Sequence, residues 1–66
     1  MPNETMTLLR PHMRDGYRAA RAGQPLTANP WRSEMLGGTA WALGWRIGSL
    51  PWWGRVPMAR ALDIEA

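Results

Sequence analysis

The chain has no cysteine and no lysine, and its 66 residues include a single histidine. Without cysteine, disulfide staples and thiolate metal sites are excluded, and the lack fits a reducing cytoplasm. His12 has no neighbours spaced to complete a metal site, so neither metal nor cofactor is expected. Without lysine, the glycine-rich phosphate loop that needs that side chain is excluded as well. His12 has no paired nucleophile: Ser33 and Ser49 fall in or at the end of the other expected helix. Asp15, three residues from His12, makes the kind of pair that is usually a surface contact. A chain this short also offers little concavity to enclose a substrate, so the sequence reads as a non-enzyme.

Chain length is itself in short supply. A chain near this size buries only about 60% of the surface it exposes when unfolded. With no disulfide or metal to help, stability must come from tight helix packing, from a partner, or from both.

What is present is arginine. Eight arginines stand against five acidic residues, for a formal charge of +3. The guanidinium fork grips phosphates and carboxylates in pairs and stacks on flat rings. Beside five tryptophans, such a set suits RNA. A GC-rich coding sequence enriches the same residue types, so charge alone argues for association and not for a fold.

The start, Met1 to Met6, is polar and is followed by no basic-led apolar run, so no secretory signal is expected. From Met35 to Gly54 the only charge is Arg46, and the window is long enough to span a bilayer. A central arginine costs roughly 2.5–3.5 kcal/mol on insertion scales. The same window holds five glycines and Pro51. Crossing is therefore not expected, and interfacial contact through the tryptophans is the better membrane alternative.

Proline and glycine punctuate the rest. Pro11 suits a first helical position, and Gly23 with Pro25 ends a helix, which predicts a helix over 11–22. Asn29-Pro30 predicts the start of a second helix running to about Gly48, limited by Pro51. The expectation is all-α: two helices joined by a short Gly/Pro loop, forming a helical hairpin. Residues 1–10 are then an N-terminal extension, 11–50 the hairpin domain, and 51–66 a tryptophan-rich tail with room for a short third helix opening at Pro57.

On the first helix Arg14, Arg18 and Arg21 share a stripe, and Met13, Gly16, Tyr17 and Ala20 form the adjoining apolar face. Gly16 lets another backbone approach closely. On the second helix Trp31, Met35, Gly38, Ala42 and Trp45 line one side, with Trp41 beside them and Trp45 read as core. Leu36, Leu43 and Ile47 line nearly the opposite side, while Arg32, Thr39 and Arg46 make a polar strip between. A helix apolar on two faces must bury both, and the first helix covers only one. The tail with Trp52 and Trp53, a second copy, or a partner must cover the other.

Gly16-Tyr17, Ala22-Gly23, Asn29-Pro30-Trp31, Trp41 and Gly44-Trp45-Arg46 together resemble the ribosome modulation factor family. That family's pattern is Gly-Tyr, a small residue plus Gly, a Cys/Asn-Pro-aromatic triplet and a closing Trp-x-x-Gly-Trp. The match covers residues 12–48, and Asn29 is similar to the family's wider branch, the namesake having cysteine there. The resemblance implies a two-helix fold and binding to the ribosome near the messenger-binding region of small-subunit RNA, which blocks initiation and promotes dormant dimeric ribosomes. It carries no known counterpart for the Trp52-Trp53 tail.

Two functions are therefore expected of a non-catalytic, cytoplasmic binding protein. In the favoured one, Arg14, Arg18 and Arg21, with Arg32 and Arg46, meet the phosphates of ribosomal RNA while Tyr17 stacks on an unpaired base. In the alternative, Leu36, Leu43, Ile47, Trp52 and Trp53 dock as an apolar face on a larger protein complex, membrane-associated in a minority version, or on a second copy.

Overall fold

A computed structural model describes residues 4–32 and 34–65. Three α-helices account for most of them: α1 over Glu4–Arg21, α2 over Leu36–Gly48 and α3 over Trp52–Leu62. A single 3₁₀ turn, Leu26–Ala28, lies between α1 and α2. Ser33 lies outside the described residues.

The all-α hairpin is present, and its core contact is a crossing of small residues. A β-carbon on Gly44 would stand 1.9 Å from the Met13 carbonyl oxygen, and one on Gly16 would stand 1.9 Å from that of Trp41. Gly48 fits against the backbone of Tyr17 and the Ala20 methyl. Ala40, Gly44 and Gly48 recur every fourth residue, so they form one stripe on which α1 lies almost backbone to backbone. Trp41 (3% exposed) and Ile47 (2% exposed) flank this stripe on either side and close its edges.

That geometry corrects two expectations about faces. Ile47 belongs to the core with Met13, Tyr17 and Ala40, so it is not available to a partner. Trp45 is only half-buried, and the fully buried indole is Trp41. The sequence was divided by its bulky residues, whereas α1 seats on the small ones between the two bulky rows.

Helix boundaries differ for identifiable reasons. α1 begins at Glu4, not Pro11, so residues 4–10 are helix and not an extension. Pro11 and Pro57 sit inside α1 and α3, each giving up one N–H bond that tertiary packing must offset. Asn29 does not cap α2. Its Oδ1 accepts the Trp31 N–H at 3.0 Å and its Nδ2 donates to the Gly38 carbonyl at 3.0 Å, clamping the loop onto the first turn of α2. Trp31 is thereby a loop residue, with its ring edge-on to His12 at 5.0 Å between centroids.

α1 ends where Gly23 takes a left-handed φ of 81°. The Gln24 N–H reaches the Ala19 carbonyl and the Gly23 N–H that of Ala20, the paired bonds of a Schellman end. α3 ends in the same way with Asp63 at φ 55°, Ile64 N–H bonded to Ala59 and Asp63 N–H to Arg60. This turn drives Ile64 back onto Ala59, and both are fully buried, which anchors the third helix in the core. α3 starts at Trp52, five residues before Pro57, behind an extended Pro51.

Candidate nucleic-acid interface

Because α1 begins early, Arg10 joins Arg14, Arg18 and Arg21 on one side of the helix. The spacing of four, four and three keeps all four within about one quadrant at 3.6 residues per turn. The sequence pattern leaves Arg10 outside the row because Pro11 reads as a helix start, although its place four residues before Arg14 is a signal for it.

Three members of this row are fastened to backbone carbonyls. Arg10 Nε donates to the Leu62 carbonyl at 3.1 Å and Arg14 Nη2 to the Asp63 carbonyl at 3.0 Å, both at the C-terminal end of α3. Arg21 Nη1 reaches the Gly48 carbonyl at 3.4 Å, at the C-terminal end of α2. Helix C-termini leave carbonyls without intrahelical partners and carry partial negative charge, which a guanidinium satisfies on both counts. Each arginine commits one of five N–H donors to this contact, so most of each fork is left. Arg18 is exposed and lies between them.

The remaining expected contacts distribute unevenly. Arg46 is exposed on the outer side of α2. Arg32 is exposed in the loop and stands 3.8 Å from Glu34, a pair with both side chains open to solvent and so of little energetic weight. Tyr17 is 7% exposed and part of the core cluster, so its ring cannot stack on a base. The exposed tryptophans are Trp31, Trp52 and Trp53, and Trp45 is half-buried.

On another side, Met6, Leu9 and Met13 of α1, Leu36 and Leu43 of α2, and Leu62 of α3 enclose a cleft of about 220 Å³. Leu36 and Leu43 are 68% and 45% exposed. Of the apolar face expected to meet a partner, these two line the cleft, Ile47 is buried in the core, and Trp52 and Trp53 belong to the start of α3.

His12 packs its ring over Gly37 and meets the Trp31 ring at right angles. No cluster of metal-ligating side chains occurs among the described residues.

No protein family, no curated protein and no solved structure matches the chain. The residues that carry the resemblance to the ribosome modulation factor pattern do share one role here. Gly16 and Gly44 make the helix crossing, Gly23 ends α1, and Asn29 clamps the loop. Trp41 fills the core, and Trp45 Nε1 donates to the Gln24 carbonyl at 2.8 Å, tying the loop to α2. The motif residues build the hairpin, and apart from Arg46 the charged surface is carried by others.

Proposed function

We propose that this chain is a non-catalytic cytoplasmic module that binds ribosomal RNA through the arginine row of α1 and thereby modulates translation. The observation that carries this reading is the fastening of Arg10, Arg14 and Arg21 to helix-end carbonyls. A tethered guanidinium loses less side-chain freedom when it meets a phosphate, and binding gains from that preorganisation. Arg18 fills the gap in the row, and Arg46 adds a cation on α2. Four cations one helical turn apart follow a backbone of repeating phosphates better than they fit an isolated acidic partner. The resemblance in the hairpin motif points the same way.

The test is co-sedimentation with ribosomes from stationary-phase cells over sucrose gradients. The protein should travel with small-subunit or dimeric ribosomes at low salt and return to the top of the gradient at high salt, because each phosphate contact releases counterions.

A second reading rests on the cleft between Leu9, Leu36, Leu43 and Leu62: docking of an apolar segment from a protein complex. Such binding would change little with salt, which separates the two readings in the same experiment.

A further inference from the structure

The corner between α2 and α3 presents an apolar surface that the rest of the fold leaves uncovered. Trp52 is 70% exposed and Trp53 67%, in the first turn of α3, and Leu50 and Pro51 just before them are exposed too. The backbone here is well bonded. The Leu50 N–H donates to the Ile47 carbonyl at 3.1 Å, and the Gly54 and Arg55 N–H groups both donate to the Pro51 carbonyl, at 3.0 and 2.9 Å. The indoles are thus held out by ordered structure.

The charge around the corner has one sign. From Met35 to Leu62 the sequence contains no aspartate or glutamate, and it contains Arg46, Arg55 and Arg60. Arg60 pairs with Glu65 beyond that segment, at 3.4 Å. Arg46 stands four residues before Leu50 and is exposed. Arg55, one turn after Trp52, is half-buried, and its Nε is shielded from solvent with no hydrogen-bond partner among the described residues. The corner therefore joins exposed indoles to Arg46 and Arg55, neither of which is ion-paired among the described residues.

An anionic lipid surface matches both properties at once. Indoles settle at headgroup level, where one end of the ring is apolar and the other wet, and arginines meet the lipid phosphates. A neutral apolar cleft on a protein would take the rings and leave the cations unmatched. An RNA strand would match the cations, but consecutive helix positions diverge by about 100° at 3.6 residues per turn, so Trp52 and Trp53 do not face one run of stacked bases. A fluid interface admits both. No described helix is long and apolar enough to cross a membrane, and surface docking requires none.

We propose that the Leu50–Trp53 corner docks on anionic lipid headgroups, with Trp52 and Trp53 inserted at the interface and Arg46 and Arg55 turned to the phosphates. The corner adjoins the α1 arginine row at Arg21, which is bonded to the Gly48 carbonyl two residues before Leu50, but its indoles are no part of that row, and the proposal does not rest on RNA binding.

The experiment is flotation of the full chain with phosphatidylcholine vesicles, with and without phosphatidylglycerol. The expected result is recovery with the anionic vesicles at least tenfold above the neutral ones, and loss of that recovery in Trp52→Ser/Trp53→Ser at unchanged helicity. As a check that does not depend on that variant folding, vesicles with brominated acyl chains should quench the wild-type fluorescence. They should leave the other three tryptophans of Trp52→Phe/Trp53→Phe largely unquenched. Failure to float with anionic vesicles overturns the proposal, as does equal quenching in the Phe variant. Loss of binding to a short RNA oligonucleotide in the Ser variant, without vesicle binding by the wild type, assigns the corner to RNA and overturns it too.

Discussion

Gly44 lies against the backbone of Met13 so closely that a β-carbon would stand 1.9 Å from the Met13 carbonyl oxygen. The obstacle is main chain, which cannot swing aside as a flexible side chain would. Gly44→Ala must therefore push α1 and α2 apart, at a cost of about 3 kcal/mol or more, the upper range for overpacking. Gly54→Ala is the control: its nearest neighbours are Leu50 side-chain atoms at 3.9 and 4.0 Å. Placed inside a helix, that alanine should stabilise by up to about 1 kcal/mol through helix propensity. Thermal melts of the two variants should move in opposite directions.

Much of this hairpin is legible in the sequence, and the parts that are not have definite causes. Gly16 as a point of close approach and Gly23 as a left-handed helix end follow directly from glycine's missing side chain. The true α2 interface was obscured because Ala40, Gly44 and Gly48 carry little hydrophobic signal beside Trp45, Leu43 and Ile47. Pro11 and Pro57 suit helix starts locally, yet both lie inside helices that packing sustains. Asn29 has the chemistry of a cap, and only the fold shows that it spends both ends of its amide on the loop. In the candidate interface, the exposure of Arg18 and Arg46 agrees with their spacing. The tethering of Arg10 and Arg14 depends on α3, whose position no periodicity in the tail reveals, that of Arg21 depends on the C-terminal end of α2, and Tyr17 is buried in a core that α2 and α3 share.

Asn29 offers a test of the loop clamp. Asn29→Ala removes the acceptor for Trp31 N–H and the donor to the Gly38 carbonyl, and should cost about 1–2 kcal/mol. Asn29→Asp keeps the acceptor but sets a carboxylate oxygen against the Gly38 carbonyl oxygen, so it too should fall below wild type. Denaturant melts that leave either variant at wild-type stability would contradict the double role.

Arg10 and Arg14 fasten α3 to α1 at Leu62 and Asp63. Arg10→Gln/Arg14→Gln should leave the α1–α2 hairpin folded while speeding amide exchange in α3, with a loss of about 0.5–1.5 kcal/mol per removed hydrogen bond. Uniform exchange throughout the chain would indicate a single cooperative unit and contradict this role.

Asp63 holds a left-handed φ of 55° at the end of α3. Its side chain is unfavourable twice over, by backbone strain and by negative charge near a helix C-terminus. Asp63→Gly should raise stability by about 1 kcal/mol. It retains the carbonyl that Arg14 uses, so the tether should persist, and a lowered melting temperature would contradict the reading.

The most direct test of the arginine row is the salt dependence of binding to purified small ribosomal subunits, wild type against Arg18→Ala. Arg18 makes none of the three tethers, so its loss should leave helicity unchanged. Binding should weaken steeply as salt rises, and the slope of log affinity against log salt should fall by about one in the variant, the value of one lost phosphate contact. Binding that is flat in salt, or a slope that Arg18→Ala leaves untouched, would contradict the claim that this row holds RNA.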